Sequence, residues 1–105
     1  MSNLVVFYAF ATPAVSGTTI IGAVAGSRII VSQACVITTL ANNVKFQSNN
    51  STDISATFPL APNGGFVLPY SELGWMQTNI GEALTFSMTT GTSTAVQVVY
   101  CLSTN

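Results

Sequence analysis

The sequence contains very little charge. Only 5% of its 105 residues are charged, against roughly 25% in an ordinary soluble domain. The whole set is Arg28, Lys45, Asp53, Glu72 and Glu82, which gives a net charge of −1. Two cations cannot form a basic stripe, so the composition argues against binding to nucleic acid. Copies of such a chain also repel each other weakly, which favours a subunit of a larger assembly over a monomer.

The sequence has no histidine, and so lacks the usual general base and the commonest transition-metal ligand. Glu72 and Glu82 are candidates for a glycosidase pair, but we interpret Glu82 as an acceptor for backbone N–H groups in its turn and Glu72 as a solvated loop acid. Asp53 alone provides too few carboxylates for calcium, and Cys35 has no histidine to activate it. We therefore predict no enzymatic activity, no metal and no cofactor.

Cysteine is also scarce. Cys35 and Cys101 lie on separate predicted strands, and we expect two free thiols that pack as small apolar groups. The N-terminal run has no positive region, which argues against a secretory signal peptide. No apolar run reaches the roughly 18 residues that span a bilayer. We therefore expect no membrane partner, and assembly in a cytoplasm.

Short apolar and alternating runs fill most of the chain, and 49% of the residues are hydrophobic, unlike a disordered chain. The pattern predicts an all-β protein: a single β-sandwich or jelly-roll-like domain over residues 1–105, with seven or eight short antiparallel strands. Residues 58–84 hold three of the four prolines and four of the eight glycines. This density predicts a turn-rich crossover between strands.

Two strand predictions depend on the alternation. In residues 28–40 the apolar parity changes, and a bulge near Ser32 and Gln33 would keep both apolar sets on one core. Residues 84–88 and 96–102 both alternate and are joined by a short loop with Gly91, a pattern that predicts a hairpin.

Two further predictions concern the middle of the chain. Asn42 and Asn43 are typical of a turn. Residues 54–58 alternate apolar and polar side chains, which predicts a strand that ends at Pro59.

The N-terminal run is apolar on both faces of a strand over residues 4–10. Only one face can meet the core of a two-layer domain. The other face, formed by Val5, Phe7 and Ala9 or by the complementary set, is a candidate contact with a neighbouring subunit. We therefore predict that residues 1–17 form an arm at a subunit interface.

The crossover supplies three further candidate interface anchors, Phe66, Trp75 and Met76. Trp and Tyr are enriched at protein interfaces, and we favour a packing role for Trp75. The alternative is an exposed platform of Trp75 and Tyr70 that stacks on a sugar ring.

Several short motifs run in the same order as in small β-sandwich structural proteins of tailed bacteriophages. They are GAVAGSRIIV at 22–31, VKF at 44–46, FVLPY at 66–70, the string G-W-x-x-T-x-x-G-E-A-L at 74–84, and VVY at 98–100. The resemblance covers about residues 18 to 102 and depends mainly on the string at 74–84. The sequence departs from the general pattern at Ile30, where a charged outward residue is expected.

The resemblance implies a capsid decoration or cement protein, a class that is often trimeric and sits on the outside of the shell. The implied partners are the major capsid protein and further copies of the chain, and the implied location is the virion surface after assembly in the host cytoplasm. The alternative is a receptor- or carbohydrate-binding β-sandwich module of a phage tail or head fibre.

Overall fold

A computed structural model describes residues 6–91 and 93–104. Every regular element of these residues is a β-strand, which confirms the all-β prediction. The strands are β1 Phe7–Ala11, β2 Thr18–Ile21, β3 Arg28–Thr38, β4 Asn42–Ser48, β5 Thr52–Asp53, β6 Phe58–Leu60, β7 Gly65–Leu68, β8 Met76–Gln77, β9 Leu84–Met88 and β10 Thr94–Ser103.

The ten strands form two antiparallel sheets of five strands each. In sheet A the order is β1-β10-β3-β7, and β8 also pairs with β3. In sheet B the order is β2-β9-β4-β5, and β6 also pairs with β4. Most connections cross from one sheet to the other, so strands that are consecutive in the chain are rarely neighbours. This wrapping is that of a jelly-roll β-sandwich, as predicted. The described residues form ten strands instead of the expected seven or eight, because the loops and the crossover add the two-residue strands β5 and β8. β3 and β10 are longer than the short strands that we expected.

The core lies between the sheets and is built from the inward positions of both. Its largest fully buried side chains are Phe46 and Phe86, from the neighbouring strands β4 and β9 of sheet B. Their ring centroids are 5.3 Å apart in an edge-to-face arrangement, which is a favourable geometry for aromatic pairs. Val31, Val36 and Val98 close the core from sheet A.

The predicted bulge in β3 is confirmed. Val99 of β10 pairs with Gln33, whereas the next residue, Tyr100, pairs with Val31. Ser32 is therefore the extra residue. It moves the buried positions from odd to even numbers, so both halves of this strand of 11 residues face the same core.

The predicted hairpin between the last two strands is wrong. β9 belongs to sheet B and β10 to sheet A, so the loop with Gly91 carries the chain across the sandwich. An alternating pattern shows that one face of a strand is buried. The pattern is the same whether the following strand is its neighbour in the same sheet or lies in the opposite sheet. The sequence pattern alone does not separate these two cases.

The starts of β4 and β6 differ from prediction, because side-chain hydrogen bonds take the place of a turn in one case and of strand pairing in the other. Asn42 begins β4 instead of forming a turn, and its buried amide binds the loop that follows β9. The predicted strand over 54–57 is irregular, and the Oγ atom of Ser55 accepts the N–H of Phe46 there. β6 begins only at Phe58 and includes Pro59, which is tolerated because β6 lies at an edge.

The crossover prediction for residues 58–84 agrees with the structure, since this segment leaves sheet B after β6, enters sheet A at β7 and returns to sheet B at β9. None of the described residues forms a helix long and apolar enough to cross a membrane.

Candidate functional site: the outer face of sheet A

The side of sheet A that faces away from the core carries mostly apolar side chains. We call this surface the outer face of sheet A, and it consists of Tyr8 and Phe10 from β1, Ala95, Gln97 and Val99 from β10, Gln33, Cys35 and Ile37 from β3, and Val67 from β7. These positions alternate with buried residues on β3 and β10 and with residues that pack against the core on β1 and β7, which fixes their outward direction.

The strand register arranges these side chains in rows across the sheet. One row contains Phe10, Gln97, Cys35 and Val67, which are paired in succession from β1 to β7. Phe10 is 81% exposed and Val67 is 61% exposed, so the row begins and ends on large apolar groups open to solvent. A mostly apolar surface that extends across four strands, interrupted in this row by Gln97, is typical of a protein contact site.

The depressions on this face are open and offer few polar groups. One, of about 280 Å³, lies between Phe10, Cys35, Ile37 and Gln97. Small-molecule sites usually combine an enclosed apolar cleft with several convergent polar groups. The surface is therefore better suited to contact with another protein than to a small ligand.

The outer face of sheet B is polar by contrast. Lys45 and Asp53 form an ion pair there, with 3.1 Å between the Nζ and Oδ1 atoms, and the Nε2 atom of Gln47 donates to the same carboxylate at 2.8 Å. The hydrogen bonds from Gln47 and Lys45 lower the pKa of Asp53 below 3.8. Thr19 and Ser87 continue the polar surface on β2 and β9.

The charged residues are thus unevenly distributed between the two sheets. None of the five belongs to the outer face of sheet A as defined above. Arg28 is the charge nearest to it along β3, and it lies half-buried on the far side of the Ser32 bulge. The sandwich therefore has one neutral apolar outer face and one polar outer face.

The predicted N-terminal contact residues occupy different environments. Val5 lies outside the described residues. Ala9 packs against the core, and the ring of Phe7 lies 5.4 Å from that of Tyr100. The outward set on β1 is therefore the complementary one, in which Tyr8 is 77% exposed and Phe10 is 81% exposed.

The three predicted anchors of the crossover are not brought together on one surface. Phe66 packs inward, with its ring 4.4 Å from that of Phe58, and Met76 is buried. Trp75 is 48% exposed, and its indole Nε1–H donates to the carbonyl oxygen of Pro69 at 2.7 Å. Tyr70 and Leu73 are exposed in the same loop.

The acidic and thiol side chains that the sequence offered for catalysis are not arranged as a catalytic site. The Oε1 atom of Glu82 accepts hydrogen bonds from the hydroxyl of Ser48 at 2.6 Å and from the Nδ2 atom of Asn79 at 3.1 Å, and not from backbone N–H groups as predicted. Glu72 is exposed. Cys35 and Cys101 are free thiols, the first half-buried and the second buried. Within residues 6–91 and 93–104, no three His, Cys, Asp or Glu side chains are grouped as metal ligands.

The sequence did not indicate that Ile37 and Val67 share one surface with the outward residues of β1, Tyr8 and Phe10. Their common position depends on the register between β1, β10, β3 and β7, which no single stretch of sequence contains. The apolar run on both faces of residues 4–10 was the one local signal. No protein-family model matches the chain, and no curated protein matches it.

Proposed function

We propose that this protein is a structural subunit of a bacteriophage virion, a capsid decoration or cement protein. In this proposal it binds the major capsid protein on the outer surface of the shell through the outer face of sheet A, as a homo-oligomer. The observation that supports it best is the division of the sandwich into a neutral apolar outer face and a polar outer face. The motif resemblance at residues 74–84 supplies the phage context.

The size of the apolar surface supports a protein partner. Tyr8 and Phe10 are 77% and 81% exposed, and one aromatic side chain offers about 150–250 Å², so these two rings alone expose roughly 240–400 Å². Ile37 and Val67, which are 52% and 61% exposed, add to this area. Large exposed apolar patches on soluble proteins mark interaction sites. A stable interface buries about 800 Å² on each partner, so this face with its rim is of the size that a specific contact requires.

The polar face then has a complementary role. With sheet A against the shell, the Lys45–Asp53 pair and the hydroxyl groups of sheet B would face the solvent. A decoration protein needs this asymmetry because it contacts the particle on one side and water on the other. Binding that occurs only on the assembled lattice would stabilise the shell by mass action, because each bound copy shifts the equilibrium away from disassembly.

A binding module of a tail or head fibre is the second candidate. It is favoured by the exposed ring of Trp75, whose indole N–H is held by Pro69 and whose neighbours Tyr70 and Leu73 are also exposed. A fixed, exposed aromatic ring in a loop with a second exposed aromatic residue is a suitable platform for a sugar.

The test uses isolated shells of the encoding phage that lack this protein. Purified wild-type protein is compared with Val67→Asp, on the outer face of sheet A, and with Thr19→Asp, an exposed position on sheet B that adds the same charge. Binding would bury the new carboxylate of Val67→Asp without a partner, and we expect affinity to fall by about 100-fold or more. Thr19→Asp should bind as the wild type does. Co-sedimentation and the melting temperature of the shell provide the measurements.

The second candidate predicts a different result. Copies per virion would be few, Val67→Asp would bind the particle normally, and Trp75→Ala would abolish adsorption to the host. Equal losses for Val67→Asp and Thr19→Asp, or no binding of the wild type to shells, would refute the decoration proposal.

A further inference from the structure

Strand β1 forms an open edge of sheet A. Within residues 6–91 and 93–104 it pairs only with β10, and its sequence FYAFA contains no charge, no proline and no glycine. Edge strands present unpaired N–H and C=O groups, and proteins normally protect them with charges, prolines, bulges or short length. β1 has none of the first three features, and its outward side chains are the exposed aromatic residues Tyr8 and Phe10.

Each other edge strand that the structure describes has such a protection. β8, which pairs with β3, has only two residues. β2 carries a bulge, because Thr19 pairs with Thr85 and Ile21 pairs with Leu84. β5 has two residues and ends on the charged Asp53. β6 contains Pro59, and β7 is four residues long and is followed by Pro69. Among the described strands, β1 is therefore the edge best suited to accept another strand.

We propose that β1 pairs antiparallel with β1 of a second copy of this chain, across a twofold axis centred on Ala9. The pairing would join two copies of sheet A into one continuous sheet. A twofold contact uses the same patch on both copies, so the patch must be complementary to itself. The sequence of β1 meets this condition on both of its faces.

In the register centred on Ala9, Tyr8 lies opposite Phe10 of the other copy on the outward face. Two aromatic pairs form in this way, and cross-strand aromatic pairs stabilise sheets. On the inward face, Phe7 lies opposite Ala11, so a large side chain meets a small one. No charged residue occurs in β1, so no like charges oppose each other. These features favour a second copy over a foreign strand.

The inference rests on the proposed function in so far as that function requires a homo-oligomer. It favours a dimer over the trimer implied by the resemblance. The outer faces of the two copies would form one surface of twice the area, since edge pairing leaves Tyr8 and Phe10 on the outward side of the sheet.

The test compares wild-type protein with Tyr8→Lys/Phe10→Lys and with the control Val67→Lys, which adds a cation to the same face at the opposite edge. Light scattering after size exclusion gives the mass, and sedimentation gives the dissociation constant. Lysines at 8 and 10 would lie directly opposite each other between copies, and like charges in that position repel. We expect the dissociation constant to rise by about 100-fold or more in the double variant. The control should remain a dimer.

Hydrogen exchange of the wild type provides a measurement that does not depend on any variant. The amides of alternate residues of β1, those whose N–H groups point away from β10, should be protected at high protein concentration and should lose protection on dilution, in step with the mass. A monomer at every concentration, a trimer, or a dimer that the double variant leaves intact would overturn the inference. Protection of these amides only after binding to shells would assign the edge to the shell and overturn self-pairing.

These outcomes are separate from those of the proposed function. A dimer that fails to bind shells would refute the decoration role and leave the edge pairing in place. A monomer or trimer that binds shells and loses binding with Val67→Asp would do the reverse.

Discussion

Two fully buried serines provide a test of hydrogen bonding in the core, because their hydroxyl groups have opposite surroundings. The hydroxyl of Ser32, in the β3 bulge, is buried and has no hydrogen-bond partner among the residues that the structure describes. The hydroxyl of Ser48, at the end of β4, donates to Glu82 at 2.6 Å and accepts the backbone N–H of Asn79 at 3.0 Å. We therefore expect Ser32→Ala and Ser48→Ala to change stability in opposite directions.

The magnitudes follow from the cost of burying polar groups. An unpaired buried hydroxyl costs about 1–3 kcal/mol, and alanine removes that cost with little change in shape. Ser32→Ala should therefore raise the free energy of unfolding by about 1–2 kcal/mol. Ser48→Ala removes a hydrogen bond to a carboxylate and leaves an N–H group without its acceptor, so it should lower the free energy of unfolding by about 2–4 kcal/mol.

Thermal denaturation measured at one fixed protein concentration would detect both changes, because association makes the melting temperature depend on concentration. For a domain of this size, 1 kcal/mol corresponds to about 4–8 °C. Ser32→Ala should melt several degrees above the wild type and Ser48→Ala about 10 °C or more below it. A decrease for Ser32→Ala would refute the reasoning, because it would mean that the Ser32 hydroxyl has a partner in the core.

Three other predictions follow from single contacts. Gly65→Ala would drive its Cβ atom into the carbonyl oxygen of Val36, whereas a Cβ atom at position 22 meets nothing within 4 Å apart from its chain neighbours. By urea denaturation, the free energy of unfolding should fall by about 1–3 kcal/mol or more for Gly65→Ala and should be unchanged or slightly higher for Gly22→Ala. Asn42→Ala leaves the N–H of Thr90 without its acceptor, while the N–H of Thr89 keeps the carbonyl oxygen of Asn43. It should therefore lower the free energy of unfolding by about 1–3 kcal/mol, and an unchanged value would contradict the described role of the amide. The pKa of Asp53 is lowered by the hydrogen bonds to its carboxylate, so its contribution to stability is present above pH 3.8 and is lost as the pH falls through the lower, folded-state pKa. An NMR titration that gives Asp53 a pKa of 3.8 or higher would contradict those hydrogen bonds.

The bulge in β3 was predictable because burial imposes a local pattern. Ile29 and Val31 have one parity and Ala34 and Val36 have the other, and only an inserted residue allows a strand to bury both sets. The all-β class was predictable for the same reason, since alternating runs record one buried face strand by strand.

The partners of each strand were not predictable in the same way. β9 and β10 alternate as hairpin strands do, yet they lie in different sheets, because the pairing is decided by the packing of the whole sandwich. The role of Asn42 was missed because an asparagine that forms a turn and one whose amide binds a distant loop look alike in a sequence. The apolar outer face depends equally on register, since Phe10 and Val67 are far apart in the chain and share one row only after folding.

The neutrality of the outer face of sheet A has a consequence for how a complex formed through it would respond to its surroundings. Contacts between charged groups weaken as ions accumulate, but contacts between uncharged apolar groups do not, and sulfate or phosphate strengthens them. Apolar contacts also weaken on cooling. A partner bound through this face would stay bound as the salt concentration changes and would bind more weakly at low temperature.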